Sequence, residues 1–385
     1  MRNNNWQAKK LGDLCRVTAG QSPEGTYYND KGNGLPFYQG KKEFQEKFIG
    51  KPQVWTTKIT KEADTGDILM SVRAPVGPIN FATQKICIGR GLAGIRPGKE
   101  LDKDFLFYCL LSKKDEISGS EGAVFASINK SEVENIEIPN VSIDQQKRIV
   151  KKLDEVFEKI EKAKENTEKN LQNSRELFES YLGDIVVSSK EDWVLKKLKD
   201  VCNELFAGGD VPKNSYSRVK TKDYDVPIYA NGFKDKGLYG FTNIERVKKT
   251  SITISARGTI GYAEIRRESY FPVVRLIVLV PNTEVVDVKY LYYVIHNFKF
   301  TNTGTSIPQL TVPMIKDIEF AVPSIPEQKM IVKKLDALSE QTKKLEENYR
   351  KKLADLEELK KSVLQSAFTP DSGFGETKKA FAGEL

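Results

Sequence analysis

Apolar residues recur at alternating spacings of four and three along two long stretches that are otherwise rich in Lys and Glu. This spacing is typical of helices with one apolar stripe, and it predicts helices over residues 142–187 and 324–368. Each helix would have about 40 residues and a length of roughly 60 Å. The predicted seam residues are Ile149, Leu153, Val156, Ile160 and Leu171 in the first helix and Ile331, Leu335, Leu338, Leu345 and Leu353 in the second.

Both stretches carry signals for helix ends. Ser142 and Ser324 each precede a Gln or Glu by three residues, which is the capping-box pattern that satisfies free amides at a helix start. Gly183 is predicted to cap the C-terminus of the first helix, and Pro370 lies just beyond the second.

Neither helix can bury its apolar stripe alone, so the two are predicted to pair as a coiled coil. We expect an antiparallel pair, because each helix follows a large globular segment that needs room. The alternative is that each helix docks separately on its own globular segment.

The helices belong to an internal repeat. The string IVKKLD occurs at residues 149–154 and again at 331–336, an offset of 182. The opening WQAKKLGDLC returns as WVLKKLKDVC, with Trp6 and Trp193 in step, so the repeat includes the globular parts. These patterns predict an α+β protein with two tandem globular domains of mixed β-sheet and helices, joined by two long helices in a pseudo-twofold repeat. The predicted segments are domains at 1–141 and 188–323, helical regions at 142–187 and 324–368, and a tail at 369–385.

Within each domain, short β-rich runs bounded by Gly and Pro follow the same order. The run LPFYQG at 35–40 corresponds to VPIYANG at 226–232, and SVRAPVG in the first domain corresponds to SARGTIG in the second. A helix is predicted over 102–117 and its counterpart over 286–295. The framework is thus repeated while the loops differ, as expected when two copies of one scaffold bind different things.

Bulk composition narrows the class of protein. The 385 residues carry a formal net charge of +8, which favours a polyanionic partner such as nucleic acid. The four cysteines lack metal-binding spacing, and we expect them to be reduced. No apolar run is long enough for a signal core or a membrane span, so we expect a cytoplasmic protein without membrane contact.

Catalytic chemistry is hard to find in the sequence. The one histidine, His296, lies in the apolar run VIHNF, and we expect it to be packed rather than to act as a base. Neither a phosphate-binding loop with Lys-Ser/Thr nor a GxGxxG fingerprint is present. None of these motifs predicts a catalytic, cofactor-binding or metal-binding site in the chain.

Binding chemistry is easier to find. Each domain has a Ser-x-Arg beside a Gly-containing turn, at Arg73 and Arg257, and a later loop of small polar residues. Arginine clamps phosphates or reads guanine edges with two parallel hydrogen bonds, and Asn or Gln reads adenine. The alternative is that both arginines are structural and pair with backbone carbonyls in a turn.

Assembled in order, these segments resemble the specificity subunit of a type I restriction-modification system. The resemblance rests on SVRAPVG, SARGTIG, IGRGLAGIRP, PSIPEQKMIVKKLD and the terminal AFAGEL, and it covers nearly the whole chain. The segment TPDSGFGETKK before AFAGEL departs from the family pattern.

The resemblance implies a non-catalytic reader of double-stranded DNA with two target recognition domains. Each would read half of a bipartite, asymmetric DNA sequence, and the helix pair would set the spacer and dock two methyltransferase subunits. S-adenosylmethionine is then expected in the methyltransferase subunits, and restriction subunits would complete the nuclease. The DNA-binding residues predicted on the matching segments are Gln39, Lys41, Ser71, Arg73, Arg90, Ser127 and Asn129, followed by Asn231, Lys234, Ser255, Arg257, Thr305, Ser306 and Gln309.

Two other classes of protein would share some of these features. A coiled-coil scaffold without DNA specificity would explain the helices, but it would not explain the basic charge or the paired Ser-x-Arg segments. A self-sufficient restriction-methylation enzyme should contain an Asn/Asp-Pro-Pro-aromatic motif, and none occurs in these residues.

Overall fold

The computed structural model describes residues 6–118, 127–187, 193–298, 300 and 309–369. The chain divides into two compact units, which we call unit 1 (Met1–Thr167 with Lys352–Leu385) and unit 2 (Glu168–Lys351). Each unit contains one of the predicted globular domains and a part of both long helices. The predicted tail lies outside the described residues from residue 370 onward.

The strands in the described part of unit 1 form three sheets. Runs of consecutive buried residues form the centre of an antiparallel four-stranded sheet, in which Leu92–Pro97 pairs with both Cys15–Ala19 and Ile68–Ser71. The five-stranded sheet contains a parallel pair, Leu35–Tyr38 with Ile86–Ile88. The remaining strands are Ile79–Phe81 in the first sheet, Tyr28–Asn29, Trp55–Thr56 and Glu62–Ala63 in the second, and the separate pair Gln7–Lys10 with Glu137–Asn140.

Unit 2 repeats this plan. Its four-stranded sheet has Ile277–Pro281 between Cys202–Ala207 and Ser251–Ile254. A parallel pair again joins the strand with the Pro-x-Tyr sequence, Val226–Tyr229, to Phe271–Pro272. The remaining strands are Ala263–Arg266 in the first sheet, Leu238–Thr242 in the second, and the separate pair Val194–Lys197 with Glu319–Val322.

The helices are also repeated. The long helices span Ile143–Val187 and Ile325–Ala367, close to the predicted bounds. Within the described residues, none of the helices is both long and apolar enough to cross a membrane. The shorter α-helices are Leu11–Leu14, Lys103–Ser112, Lys114–Ser118, Lys130–Glu134, Val288–Asn297 and Val312–Ile315, and 3-10 turns occur at Gly25–Tyr27, Lys41–Glu43, Leu198–Val201 and Lys234–Gly237.

The long helices pair in antiparallel fashion within each unit. In unit 1, Glu161 of the first helix contacts Lys360 of the second at 2.7 Å, and Lys164 contacts Glu357 at 2.5 Å. The residue number therefore rises along the first helix while it falls along the second. In unit 2, Arg175 of the first helix contacts Glu346 of the second at 3.3 Å. Of the seam residues, Ile149, Leu153, Ile160, Ile331 and Leu335 are buried, and Val156, Leu171, Leu338 and Leu353 are half-buried.

A buried glutamine fastens each long helix to its globular part. The Gln146 side chain accepts from the Asp102 amide at 2.7 Å and donates to the carbonyls of Glu100 and Val141. Its repeat partner Gln328 makes the same three bonds, accepting from the Asp287 amide at 2.6 Å. Every polar atom of these buried amides is therefore used, which fixes the junction.

The aspartate that ends IVKKLD has a matching role in both copies. Tyr108 donates its hydroxyl to Asp154 at 2.5 Å in unit 1, and Tyr293 donates to Asp336 at 2.8 Å in unit 2. Burial, followed by the carboxylate partner, raises the pKa of both tyrosines. The repeated string therefore marks a contact between a long helix and the short helix that precedes it.

Three predictions were wrong. Gly183 does not cap the first helix, which continues to Val187, because Leu182 packs into the core of unit 2 and offsets the cost of a helical glycine. Leu345 is 43% exposed, and the buried seam position nearby is taken by Thr342. His296 is exposed at the end of its helix, where its ring stacks on Tyr292 at 6.1 Å.

Candidate nucleic-acid interface

In unit 1, a chain of backbone hydrogen bonds joins four segments at the ends of strands. The Gly91 amide donates to the Gln39 carbonyl at 3.1 Å, and the Val72 amide donates to the Gly91 carbonyl at 3.0 Å. The Ile128 amide then donates to the Val72 carbonyl at 3.0 Å. The structure thus brings together the four segments that carry the predicted residues Gln39, Arg73, Arg90 and Ser127.

Arg73 and Arg90 are exposed on this surface, which suits groups that meet a partner. The backbones of Arg73 and Ser127 form an isolated β-bridge, so the Ser-x-Arg turn lies against the start of the segment after the polar loop. Lys41 is also exposed, in the 3-10 turn that follows Gln39.

An open pocket of about 780 Å³ lies beside these residues in unit 1. Gln39 and Arg90 both line it, and Ser22 connects them by donating to Gln39 Oε1 at 2.8 Å and accepting from the Arg90 amide at 3.2 Å. The stacked rings of Tyr28 and Phe37, 4.8 Å apart, form its apolar wall. Amide, guanidinium and aromatic groups in one pocket can hydrogen-bond and stack with nucleobases.

Unit 2 builds the corresponding surface with two hydrogen bonds of one side chain in place of two of the backbone bonds found in unit 1. The Asn231 Oδ1 atom accepts from the Ala256 amide at 2.7 Å, and Nδ2 donates to the Val274 carbonyl at 2.6 Å. The Leu310 amide donates to the Ala256 carbonyl at 2.8 Å, as Ile128 does to Val72 in unit 1. Asn231 therefore joins three segments, and both of its polar atoms are engaged in doing so.

Arg257 lies on this joined surface of unit 2. Its guanidinium donates to Gln309 Oε1 at 2.7 Å, so the structure brings two predicted residues into direct contact. Arg257 is exposed, and the guanidinium has five donors, so this bond leaves donors for a further partner. Lys234 is exposed on the adjoining loop, whereas the predicted residues Thr305 and Ser306 lie outside the described residues.

Three other predicted residues have local structural contacts. Ser71 is buried and donates to the carbonyls of Arg73 and Pro75, both at 3.1 Å. Ser255 is buried and accepts from the Gly232 amide at 3.0 Å. Asn129 caps the helix Lys130–Glu134 in a capping box. Ser71 and Ser255 support the turns that present the arginines, whereas Asn129 begins a short helix. Direct DNA contact by these three side chains stays a prediction.

The sequence reasoning missed Arg275. Val274 and Arg275 occupy the turn that corresponds to Arg90 and Gly91, and both have positive φ, 53° and 64°. They are exposed, and their amides donate to the carbonyls of Gly209 and Gly208. The second copy has no Gly-Arg-Gly pattern, so no local signal in the sequence indicated this turn. The pair Gly208–Gly209, whose carbonyls accept from the turn, was the one available signal nearby.

The tyrosines next to both surfaces are neutral at physiological pH. Burial is the main cause that raises the pKa of Tyr38 to about 12 and that of Tyr229 to about 12. Glu43 adds to the shift at Tyr38, and the hydrogen bond to Glu268 adds to the shift at Tyr229. The tyrosines therefore add no charge to these surfaces.

A model of the type I restriction modification DNA specificity domain matches residues 3–170 and again residues 190–355. The chain belongs to this family. The two matches correspond to the two copies of the repeat, each with its globular part and following helix.

Known relatives agree with this assignment. The MjaX type I restriction enzyme specificity subunit of Methanocaldococcus jannaschii is 45% identical over 172 residues, which are 43% of this chain and 40% of that protein. A type I specificity subunit of Mycoplasma pneumoniae is 26% identical over 339 residues, which are 86% of this chain and 88% of that protein. The chain thus matches less than half the length of the first relative and most of the second.

A solved structure from work on complex assembly and conformational transition of the type I R-M system shares the fold. The TM-score is 0.76 at 18% sequence identity, and the match covers 94% of this chain and 97% of that one. The alternative of a coiled-coil scaffold without DNA specificity finds no support in these comparisons.

Proposed function

We propose that this chain is the DNA-reading subunit of a type I restriction-modification complex. Each unit reads one half of a bipartite, asymmetric target in double-stranded DNA. The chain supplies recognition, and partner subunits carry out the chemistry. This proposal deepens the family assignment by giving each unit its own half-site.

The observation that carries the proposal is the repeated surface with different side chains. Both units join the turn after the Pro-x-Tyr strand, the Ser-x-Arg turn and the end of the polar loop by hydrogen bonds. Unit 1 places Gln39 and Arg90 beside a pocket, and unit 2 places Arg257 against Gln309. Two copies of one scaffold with different polar groups suit two different DNA sequences.

We propose that the paired long helices fix the unspecified spacer between the half-sites. The antiparallel ion pairs and the buried Gln146 and Gln328 junctions support a rigid connection inside each unit. Reading heads that face the same side of B-DNA must be separated by whole helical turns, about 34 Å each. The length of the helices would therefore determine the spacer.

The partners we propose are two methyltransferase subunits, with restriction subunits in the full complex. The methyltransferase subunits would bind S-adenosylmethionine and flip out the target adenine. No group of three or more potential metal ligands occurs within the described parts of this chain. We propose that cofactor chemistry belongs to the partner subunits, because of the family resemblance.

The experiment is co-expression with the methyltransferase partner in a methylation-free host, followed by genome-wide mapping of methylated adenines. We expect one split motif with a fixed gap. The methyltransferase expressed without this chain is the control and should leave the motif unmethylated. A stable complex that methylates no motif would contradict the proposal.

A further inference from the structure

The loop after the strand Val226–Tyr229 in unit 2 is held in a defined conformation. The Ala230 amide donates to the Gly237 carbonyl at 2.9 Å, which closes the loop, and the buried Arg266 guanidinium donates to the Lys236 carbonyl. Asp235 and Lys236 have φ values of 47° and 54°, a conformation that residues with side chains rarely adopt. Such a loop presents its side chains in fixed directions.

Phe233 is at the tip of this loop and is 66% exposed. Its carbonyl accepts from the Lys236 amide at 3.1 Å, so its backbone belongs to the ordered turn while its ring faces solvent. A single exposed apolar residue is common on protein surfaces, so exposure alone carries no inference. The inference depends on the groups that surround the ring.

Phe233 lies on the loop that contacts both arginine-bearing turns. The preceding residue Gly232 bonds to Ser255, two residues before Arg257, and Asn231 bonds to the carbonyl next to Arg275. Lys234 follows Phe233 and is exposed. Asp235 is the one carboxylate between residues 231 and 237, and Lys236 is paired with Glu264 at 2.8 Å. An apolar ring on a surface with exposed cations is complementary to a base step flanked by phosphates.

The loop in unit 1 after the matching strand has two aromatic residues, Phe44 and Phe48, and both contact the rest of the unit. Phe44 of that loop packs against the core cluster that contains Tyr38 and Ile49. Phe48 of the same loop is 52% exposed, but its ring lies 5.8 Å from that of Phe81. The ring of Phe233 is more exposed than either aromatic ring of the unit 1 loop. It belongs with the side chains that distinguish the two surfaces.

We propose that Phe233 inserts at one base step of the half-site read by unit 2 and unstacks that step. The inference rests on the proposed DNA-reading function and adds a specificity element to it. Apolar side chains inserted in this way bend DNA, and the energetic cost depends on the base step, so flexible pyrimidine–purine steps are favoured. Specificity then arises at a position without hydrogen-bond readout.

The test uses the full chain in complex with its methyltransferase subunits and duplexes that contain the mapped motif. The fluorescent base 2-aminopurine is placed at successive positions in each half-site, because its emission rises when it is unstacked. The adenines that the methyltransferase subunits flip out should give a rise in wild type and variants alike. Beyond those positions, we expect one further rise, at one step of the half-site read by unit 2. Phe233→Ala should abolish that rise and weaken binding roughly 5- to 100-fold, while Phe233→Trp should retain both.

Ile244→Ala is the matched control. Ile244 is 41% exposed and follows the strand Leu238–Thr242 at the end opposite the loop. It should leave fluorescence and affinity unchanged. Thermal unfolding of each variant checks folding, and Phe233→Ser, which also removes the apolar ring, serves as the truncation if the alanine variant is unstable.

The outcomes separate the inference from the function. Specific binding with the same fluorescence profile in wild type and Phe233→Ala would overturn the inference alone. Weaker binding of Phe233→Ala with an unchanged profile would also overturn it, since the ring would then be a groove contact. A wild-type complex without any specific motif would overturn both the inference and the proposed function.

Discussion

In unit 1 the turn 89–91 has a glycine on each side of Arg90, whereas the corresponding turn 273–275 of unit 2 has no glycine. Val274 and Arg275 nevertheless adopt positive φ there, at a cost of roughly 1–2 kcal/mol per residue. Unit 2 holds them in place through Gly208, Gly209 and the Asn231 amide. The backbone path of this turn is therefore common to both units. Unit 1 reaches it with glycines, and unit 2 reaches it with hydrogen bonds that hold the non-glycine residues.

The buried framework, by contrast, is the same in both units. Gln146 and Gln328 make equivalent bonds, as do the pairs Tyr108–Asp154 and Tyr293–Asp336. The two units therefore differ mainly where strand ends reach the surface. They are alike where a long helix meets its globular part. Four changes test how far this contrast holds.

The largest effect is expected from removing the buried glutamine of either unit. Gln328→Ala leaves the Asp287 amide and the Val285 and Pro323 carbonyls without their partner, which should destabilise unit 2 by about 3 kcal/mol. Hydrogen exchange resolved by segment measures this in each unit separately. Gln146→Ala should cost unit 1 a similar amount. If only one of the two variants were destabilised, the two buried glutamines would not contribute equally to the stability of their units.

A smaller effect, confined to one half-site, is expected from Arg257→Ala. It removes an exposed guanidinium held by Gln309 and should weaken binding to the half-site of unit 2 by about 1–3 kcal/mol. Arg73→Ala is the matched variant and should affect the other half-site. Binding to duplexes with one half-site altered at a time measures the effect. Equal loss on all DNA would instead identify a phosphate contact.

The fold was largely predictable from the sequence because its signals are local or repeated. The apolar stripe indicated both long helices to within a residue or two, and the Gly- and Pro-bounded runs indicated the main strands. Gly183 failed as a helix end because tertiary burial of Leu182 overrode a local signal. The prediction that Leu345 lies in the buried seam was wrong because small polar residues occupy the seam in this stretch, although the apolar spacing continues through it.

The interface was less predictable because it depends on which loops meet. Arg257 and Gln309 are 52 residues apart, and no local pattern indicates their contact. Ser71 and Ser255 carried a repeated signal, but it reflects turn-supporting contacts inside the fold. Arg275 was missed because the second copy reaches a left-handed turn without glycine. Repetition in sequence reports shared structure more directly than shared contacts with a ligand.

A pH-dependent difference between the units is expected from Asp336. Lys289 contacts Asp336 at 2.6 Å, whereas unit 1 has Asp104 at the matching place, two residues after the helix cap. Burial raises the pKa of the Asp336 carboxyl, but the bonds from Lys289 and Tyr293 outweigh it, and the net pKa is lowered. The stabilisation is therefore complete above the unfolded pKa near 3.8 and is lost as pH falls through the lower folded value.

Asp336→Asn should cost unit 2 only about 0.5–1 kcal/mol at neutral pH, because the pair is partly exposed. It should also remove this group's contribution to the loss of unit 2 stability below pH 4. Stability measured by segment-resolved hydrogen exchange at neutral pH, and by denaturant unfolding between pH 2 and 7, would show this. If Asp336→Asn left the fall in stability at low pH unchanged, other carboxylates would determine the acid sensitivity of unit 2.

The smallest effect is expected from Leu345→Ala, which gives unit 2 the residue that unit 1 has at this repeat position, Ala163. Leu345 is 43% exposed, so little apolar area leaves the interior, and the free energy of unfolding should change by less than about 0.5 kcal/mol. Leu335→Ala is the contrast, because Leu335 is 1% exposed and its repeat partner Leu153 is also buried; about 2–5 kcal/mol should be lost. Denaturant unfolding of both variants measures the difference. A large loss from Leu345→Ala would mean that a partner or the opposite helix covers this side chain in solution, and the seam would then extend through the region where the two copies differ.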